Sequence, residues 1–197
     1  MAGNAQVGVL ALQGDFREHI AVLRSLGADA VAVKRPEELE RVAGLVIPGG
    51  ESSVMDKLSR LFGMADPLKA AIASGLPVYG TCAGLIMIAD EVLDSIEGQQ
   101  TVGGLDVVVR RNAFGSQLDS FETDLAIPVL GEPPVHAVFI RAPVVESVGA
   151  GVNVLASLSD GRVVAVEQGN LLGTSFHPEM TGDTRFHEYF LAKVRAA

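Results

Sequence analysis

The first half of the chain alternates short, continuous apolar runs with stretches of helical periodicity, and few folds accept that pattern. The runs are VGVLAL (7–12), DAVAVK (29–34), GLVIPGG (44–50) and LPVYGT (76–81). They are apolar throughout instead of alternating with polar residues, as strands covered on both faces are. Between them, DFREHIAVLRSLG (15–27) carries Phe16, Ile20, Leu23 and Leu26 near helical spacing, with Gly27 as a stop. SSVMDKLSRLFG (52–63) reads as a helix opened by a serine cap, DPLKAAIASG (66–75) as one with Pro67 near its start, and CAGLIMIADEVL (82–93) as a third. Strand–helix alternation of this kind predicts βαβ units: an α/β fold with an open, mostly parallel sheet and helices on both faces.

The second half reads differently. TVGGLDVVVRR (101–111), SFETDLAI (120–127), VHAVFIRAP (135–143), VNVLASL (152–158), RVVAVEQG (162–169) and NLLGTSF (170–176) are short strands separated by turn residues. SDGR (159–162) marks a hairpin turn, so an antiparallel extension is expected, and a last helix should run from about 182 to 195. No linker, repeat or low-complexity tract divides the 197 residues, so one domain over 1–197 is expected. The net charge of −9 argues against a nucleic-acid or anionic-membrane surface, which needs a basic footprint. With a single cysteine and no basic, apolar leader, the chain reads as cytoplasmic.

That cysteine, Cys82, lies in YGTCAG (79–84), where an apolar run becomes a helical one. Gly-x-Cys-x-Gly is the thiol counterpart of the nucleophile elbow, a sharp strand-to-helix turn that lifts a nucleophile above the sheet. A helix start also favours a thiolate. The competing reading is a buried cysteine packed as a small hydrophobe. A nucleophile needs a base and a group to orient it. Of four histidines, His19 reads as a surface or packing residue, and His136 and His187 as ordinary strand and helix residues. His177 stands apart, because SFHPEM (175–180) follows a strand and Pro178 biases His177 toward an extended backbone. If that geometry continues, His177 and Glu179 share a side, and the carboxylate can fix the imidazole tautomer. For an oxyanion, Ala83 N–H is the first expected donor, and PGGES (48–52) could add one from Gly49 or Gly50. A phosphate loop fits less well, since GGESSV lacks the Gly-Lys-Ser/Thr ending.

PGGES, GTCAGL and SFHPE, in that order, resemble the class I glutamine amidotransferases. GVLALQGDFREH (8–19), VKRPEEL (33–39), VVVRRNAFGSQLDSFE (107–122), FIRAP (139–143) and GTSFHPEMT (173–181) are similar to the branch that supplies the glutaminase subunits of pyridoxal 5'-phosphate synthase. The resemblance implies a flavodoxin-like fold and hydrolysis of L-glutamine to glutamate and ammonia through a thioester. It implies Cys82, His177 and Glu179 as the triad and Gly50 and Ala83 as the oxyanion hole. Glutamine contacts are implied at Gly50, Glu51, Ser52, Arg111, Ile140 and Arg141, with no metal and no cofactor. The implied partner is a synthase (lyase) subunit in a large hetero-oligomer, which takes the ammonia into vitamin B6 synthesis. Which of Arg111 and Arg141 meets the substrate carboxylate stays open. Two other classes also stay open: a redox-sensing or binding domain that kept the cysteine, and a thiol peptidase or a glutaminase serving another acceptor.

Overall fold

The structure, a computed structural model, describes residues 6–114 and 120–197. The middle of the RNAFGSQLDSFE motif and the start of the N-terminal segment lie outside the described residues. The first half runs β1 (Val7–Leu10), α1 (Phe16–Ser25), β2 (Ala30–Val33), α2 (Pro36–Leu39), β3 (Gly44–Ile47), α3 (Ser52–Leu61), α4 (Ala65–Ala73), β4 (Val78–Thr81) and α5 (Ala83–Ile88). The second half runs β5 (Ala89–Leu93), β6 (Leu105–Arg110), β7 (Ser120–Leu125), β8 (Val135–Ile140), β9 (Val144–Val148), β10 (Asn153–Ser157), β11 (Val163–Gln168), β12 (Leu171–Thr174) and α6 (Arg185–Ala196).

The main sheet has the order β2-β1-β3-β4-β12-β11-β9-β6-β5, with β10 paired to β11, and β7 and β8 form a separate hairpin. Strands β2, β1, β3, β4 and β12 are mutually parallel, and β12 returns from the antiparallel extension to lie against β4. Successive side chains of the parallel strands feed two cores. Leu10, Leu45, Ile47 and Val78 join Met55, Leu68, Leu85 and Ile88 of α3, α4 and α5. Val9, Val46 and Tyr79 join Leu23 of α1 and Phe186, Phe190, Leu191 and Val194 of α6. Helices thus cover both faces, as the continuous apolar runs require. The hairpin adds Leu125, Val135, Ala137 and Phe139 to the second core. Each fully buried aromatic of that layer, such as Phe176 or Phe190, contributes about 1.5–3 kcal/mol by leaving water.

Four expectations need correction. The helix expected over 82–93 ends at Ile88, and Ala89–Leu93 is a strand parallel to β6. Ala89 turns extended (φ −65°, ψ 144°), and the free Met87 carbonyl is taken by Val102 N at 2.8 Å instead of by a further helical turn. The cap of α3 is not a serine but Glu51, whose carboxylate accepts from Ser53 N at 3.2 Å and Ser53 Oγ at 2.9 Å. The last helix begins at Arg185, because Gly182 has a left-handed φ of 74°. Strand β9 and the four-residue helix α2 were not among the expected elements. The SDGR turn is present: Leu158 N bonds Arg162 O at 2.9 Å and joins β10 to its antiparallel partner β11.

One contact sets the position of α5. A β-carbon on Gly84 would lie 1.9 Å from the Ile47 carbonyl oxygen, and one on Gly80 2.5 Å from the Gly84 carbonyl. The backbones of β3, β4 and α5 therefore meet with no room for side chains. Gly84→Ala should destabilise the protein by about 1–3 kcal/mol or more, the usual cost of overpacking. At Gly151 an added β-carbon meets only Gln168 Nε2, at 3.4 Å. Gly151→Ala should stay within about 0.5 kcal/mol of the parent. Urea unfolding of both variants checks this, and equal stabilities would contradict the close approach.

Candidate active site

Parallel sheets build sites beyond the carboxyl ends of their strands, next to where the strand order reverses. Here β1 lies between β2 and β3, and the chain leaving β1, β3, β4 and β12 supplies four adjoining loops. The loops are tied together. Asp15 N donates to Gly49 O at 3.1 Å, Glu51 N to Gln13 Oε1 at 2.9 Å, and Cys82 N to Thr174 O at 2.8 Å. His177 N donates to Val138 O of the hairpin at 2.9 Å.

Cys82 sits at the end of β4 with φ 49° and ψ −103°, a backbone that non-glycine residues rarely adopt. The turn sends its sulfur toward the Ile140 carbonyl, 3.9 Å away, and leaves the Ala83 N–H at the start of α5 without an intrahelical acceptor. His177 follows β12, and its Nδ1 bonds Glu179 Oε1 at 2.8 Å. The expected extended run is not what joins them. His177 (φ −108°, ψ 84°) leads into a single 3₁₀ turn, Pro178–Met180, and that turn folds the carboxylate back onto the ring. Phe139, Phe176, Phe186 and Tyr79 form a continuous aromatic chain behind the turn.

Burial works to lower the His177 pKa, but the neighbouring Cys82 sulfur and the Glu179 carboxylate outweigh it and push it up to about 10. Asp15 Oδ2 also lies 3.8 Å from His177 Nδ1. Asp15, His177 and Glu179 offer three potential metal-ligand atoms within 4.8 Å of one another. The Nδ1–Oε1 bond already uses two of them.

Above Cys82 and His177 opens a cavity of about 720 Å³. Its lining includes Gly50, Glu51, Ser52, Ala83, Arg111, Ile140 and Arg141, so every site residue expected from sequence meets there except Glu179, which stands behind His177. Gly50 has φ 151°, and a β-carbon there would strike Gln13 Oε1 at 2.4 Å. Arg111 is nearly buried, bonded to Glu51 Oε1 at 3.0 Å and Gln99 Oε1 at 2.9 Å. Arg110 turns away to Glu146 and Asp94 on the surface. Arg141 is exposed, with φ 45°, and makes no ion pair with another described residue. Burial tends to raise the Glu51 pKa, but the Ser53 hydroxyl and N–H and the charges of Arg111 and Arg141 hold it below the usual range. The cavity therefore sets the carboxyl side chains of Asp15 and Glu51 and the guanidinium groups of Arg111 and Arg141 around Cys82 and His177.

Two residues were missed. His19 and His187 are both fully buried, with His19 Nδ1 2.9 Å from His187 Nε2. His19 Nε2 lies 3.2 Å from Thr81 Oγ1 and 3.3 Å from Glu179 Oε2. A histidine at position 19 on a helix with Leu23 inward faces the core, a signal that was available in the periodicity. His136 is exposed between Asp124 and Glu122, away from the cavity.

The family model described as the SNO glutamine amidotransferase family matches residues 9–196. The chain is 73% identical over 194 residues to a pyridoxal 5'-phosphate synthase subunit PdxT of Leifsonia xyli subsp. xyli (strain CTCB07), covering 98% of each chain. It is 59% identical over 190 residues to the PdxT of Streptomyces avermitilis, covering 96% of this chain and 94% of that one. A crystal structure described as a glutamine amidotransferase superimposes with a TM-score of 0.90 at 48% identity, covering 96% of this chain and 98% of that one. A putative GMP synthase subunit from Thermoplasma acidophilum shares the fold, with a TM-score of 0.74 at 17% identity over 100% of this chain and 96% of that one.

An ordinary imidazole loses its proton near pH 6.5. Because the His177 pKa is raised to about 10, its ring should stay doubly protonated through neutrality and deprotonate only as pH approaches 10. Cys82→Ala removes the strongest of the raising influences, so the His177 midpoint should fall. Nitrogen-15 NMR of histidine-labelled protein across pH 5.5–10.5 reads both, and a wild-type midpoint near 6.5 would break the Cys82–His177 coupling.

Proposed function

We propose, for a chain that belongs to the SNO glutamine amidotransferase family, that it hydrolyses L-glutamine and delivers the ammonia to a partner synthase for pyridoxal 5'-phosphate formation. The observation that carries this reading is that Cys82 and His177 line one charged cavity, with the Glu179 carboxylate bonded to His177 Nδ1 behind it. The names of the relatives support the acceptor pathway and the hetero-oligomer. The single, unpaired cysteine supports a cytoplasmic setting. No helix among the described residues is long and apolar enough to cross a membrane.

In the proposed reaction the Cys82 sulfur attacks the side-chain amide carbon of glutamine. Negative charge gathers on the former carbonyl oxygen, where the Ala83 and Gly50 N–H groups are the donors. The His177 imidazolium gives its proton to the departing nitrogen, and ammonia leaves with a thioester behind. The ring, now neutral, takes a proton from water as that water attacks the thioester. The C–S bond breaks with its electron pair returning to sulfur, glutamate departs, and the ring is again the imidazolium. Glu179, bonded to Nδ1, keeps the ring in the tautomer that points Nε2 at the reacting atoms.

Glutamine enters as a zwitterion. Glu51 is the carboxylate for its ammonium group, and Ser52 and the Ile140 backbone line the same wall. Arg111 is engaged by Glu51 and Gln99 and holds Glu51 in place. Arg141, which has no partner among the described side chains, is the cation for the α-carboxylate.

Two outcomes test the reading. With the synthase subunit present, Cys82→Ala should abolish glutamate release from glutamine yet leave synthesis from ammonium salts intact. Release of ammonia from glutamine by that variant would overturn the mechanism. Arg141→Gln keeps the backbone strain of a non-glycine residue and removes only the cation. It should raise KM for glutamine about 10- to 100-fold, the worth of one charged hydrogen-bonded contact, with a smaller change in kcat. An unchanged KM would return the carboxylate to Arg111.

A further inference from the structure

The side chain of Glu179 is fully buried, and its two oxygens have different surroundings. Oε1 accepts from His177. Oε2 makes no hydrogen bond with a described residue, and His19 Nε2 lies 3.3 Å from it. An isolated buried carboxylate oxygen is costly, and a neutral donor directed at it lowers that cost without adding a competing charge.

We propose that His19 is a positioning residue: its Nε2, 3.3 Å from Glu179 Oε2 and outside hydrogen-bond geometry, holds the carboxylate by close electrostatic contact so that Oε1 faces His177. The inference rests on the triad reading above. The tautomer follows from the contacts. A lone pair on Nε2 would face an anion at 3.3 Å and be repelled, so the anion selects Nε2–H. The hydrogen bond from that N–H goes to Thr81 Oγ1 at 3.2 Å. Nδ1 is then an acceptor, and His187 Nε2–H at 2.9 Å is its donor. Burial first, then the charges of His187 and His177, keep His19 neutral, which preserves Glu179 as the counter-charge of His177 alone. A run of close polar contacts thus reaches from His187 of α6 through His19 of α1 to Glu179 and His177 in the turn after β12.

A bystander histidine in the core predicts a different result from a positioning one. His19→Leu fills similar space without a donor. His19→Gln restores a donor for Glu179 and an acceptor for His187. Assayed with the synthase subunit, His19→Leu should lower kcat for glutamine hydrolysis about 10- to 100-fold, approaching what general acid–base catalysis supplies, with KM little changed. His19→Gln should recover most of it. In nitrogen-15 spectra the His177 midpoint should fall in His19→Leu and return in His19→Gln. If neither variant folds, the wild-type spectrum still decides, because His19 must show a protonated Nε2 and a bare Nδ1. Unchanged kcat and His177 titration in His19→Leu, failure of His19→Gln to recover, or an Nδ1–H tautomer would each overturn the proposal. Glutamine hydrolysis by Cys82→Ala would instead overturn the triad reading, and the two failures are separate.

Discussion

Cys82 holds a backbone conformation that the chain must enforce from outside. Strain of this kind costs roughly 1–3 kcal/mol and persists only where the surroundings over-determine it. The surroundings here are backbone atoms. Gly84 approaches the Ile47 carbonyl, Gly80 approaches Gly84, and Cys82 N is fixed to Thr174 O. Side chains at either glycine would push α5 off the sheet and relax the turn. The helix is only six residues long, and all six are buried, so its own hydrogen bonds contribute less to its place than the core it enters. The fold thus delivers one sulfur, at one height above the sheet, through contacts that tolerate almost no added volume.

The ionic part of the site depends on the same frame. Glu179 and His177 are adjacent through a 3₁₀ turn that leaves neither side chain much freedom, and the aromatic chain of Phe139, Phe176 and Phe186 backs it. Removing charges from water carries a penalty that only good geometry repays. The 2.8 Å bond between Nδ1 and Oε1 supplies that geometry on one side of the carboxylate. On the other side the polar atoms come from α1 and β4, elements that the sheet places against the turn. A carboxylate held between two rings has one orientation open to it, whereas a carboxylate held by one ring can rotate.

The sequence carried the parallel half well because its strands are covered on both faces and its helices have one buried stripe. Cys82 and His177 were legible for the same reason, as each follows an apolar run at a turn marked by glycine or proline. What escaped depended on long-range pairing. CAGLIMIADEVL keeps an unbroken apolar start, and only the arrival of Val102 and β6 shows that Ala89 must leave the helix. The serine cap lost to Glu51 because the carboxylate reaches both Ser53 groups while also meeting Arg111. Taken by itself, His19 reads as a surface or packing residue. Its significance lies in Glu179 and His187, each more than 150 positions away along the chain.

The two halves of the chain carry different parts of the proposed reaction. The parallel half, with β12, brings Cys82, His177 and Glu179, which act on bonds. The antiparallel half brings Arg111 and Arg141, which meet charge. Their loops are built alike: Asn112 and Arg141 follow β6 and β8 with φ of 47° and 45°, and Ala113 N bonds Ala142 O at 3.2 Å between them. Each left-handed residue costs about 1–2 kcal/mol, so a relaxed chain would not choose both. The cross-loop hydrogen bond and the burial of Ala142 keep them. Strain is therefore stored on both sides of the cavity: at Cys82, where the sulfur is presented, and at the rim, where the guanidinium of Arg141 is. In the proposed reaction, a substrate bridging the two sides has its amide set against the sulfur by the position of its own α-carbon groups.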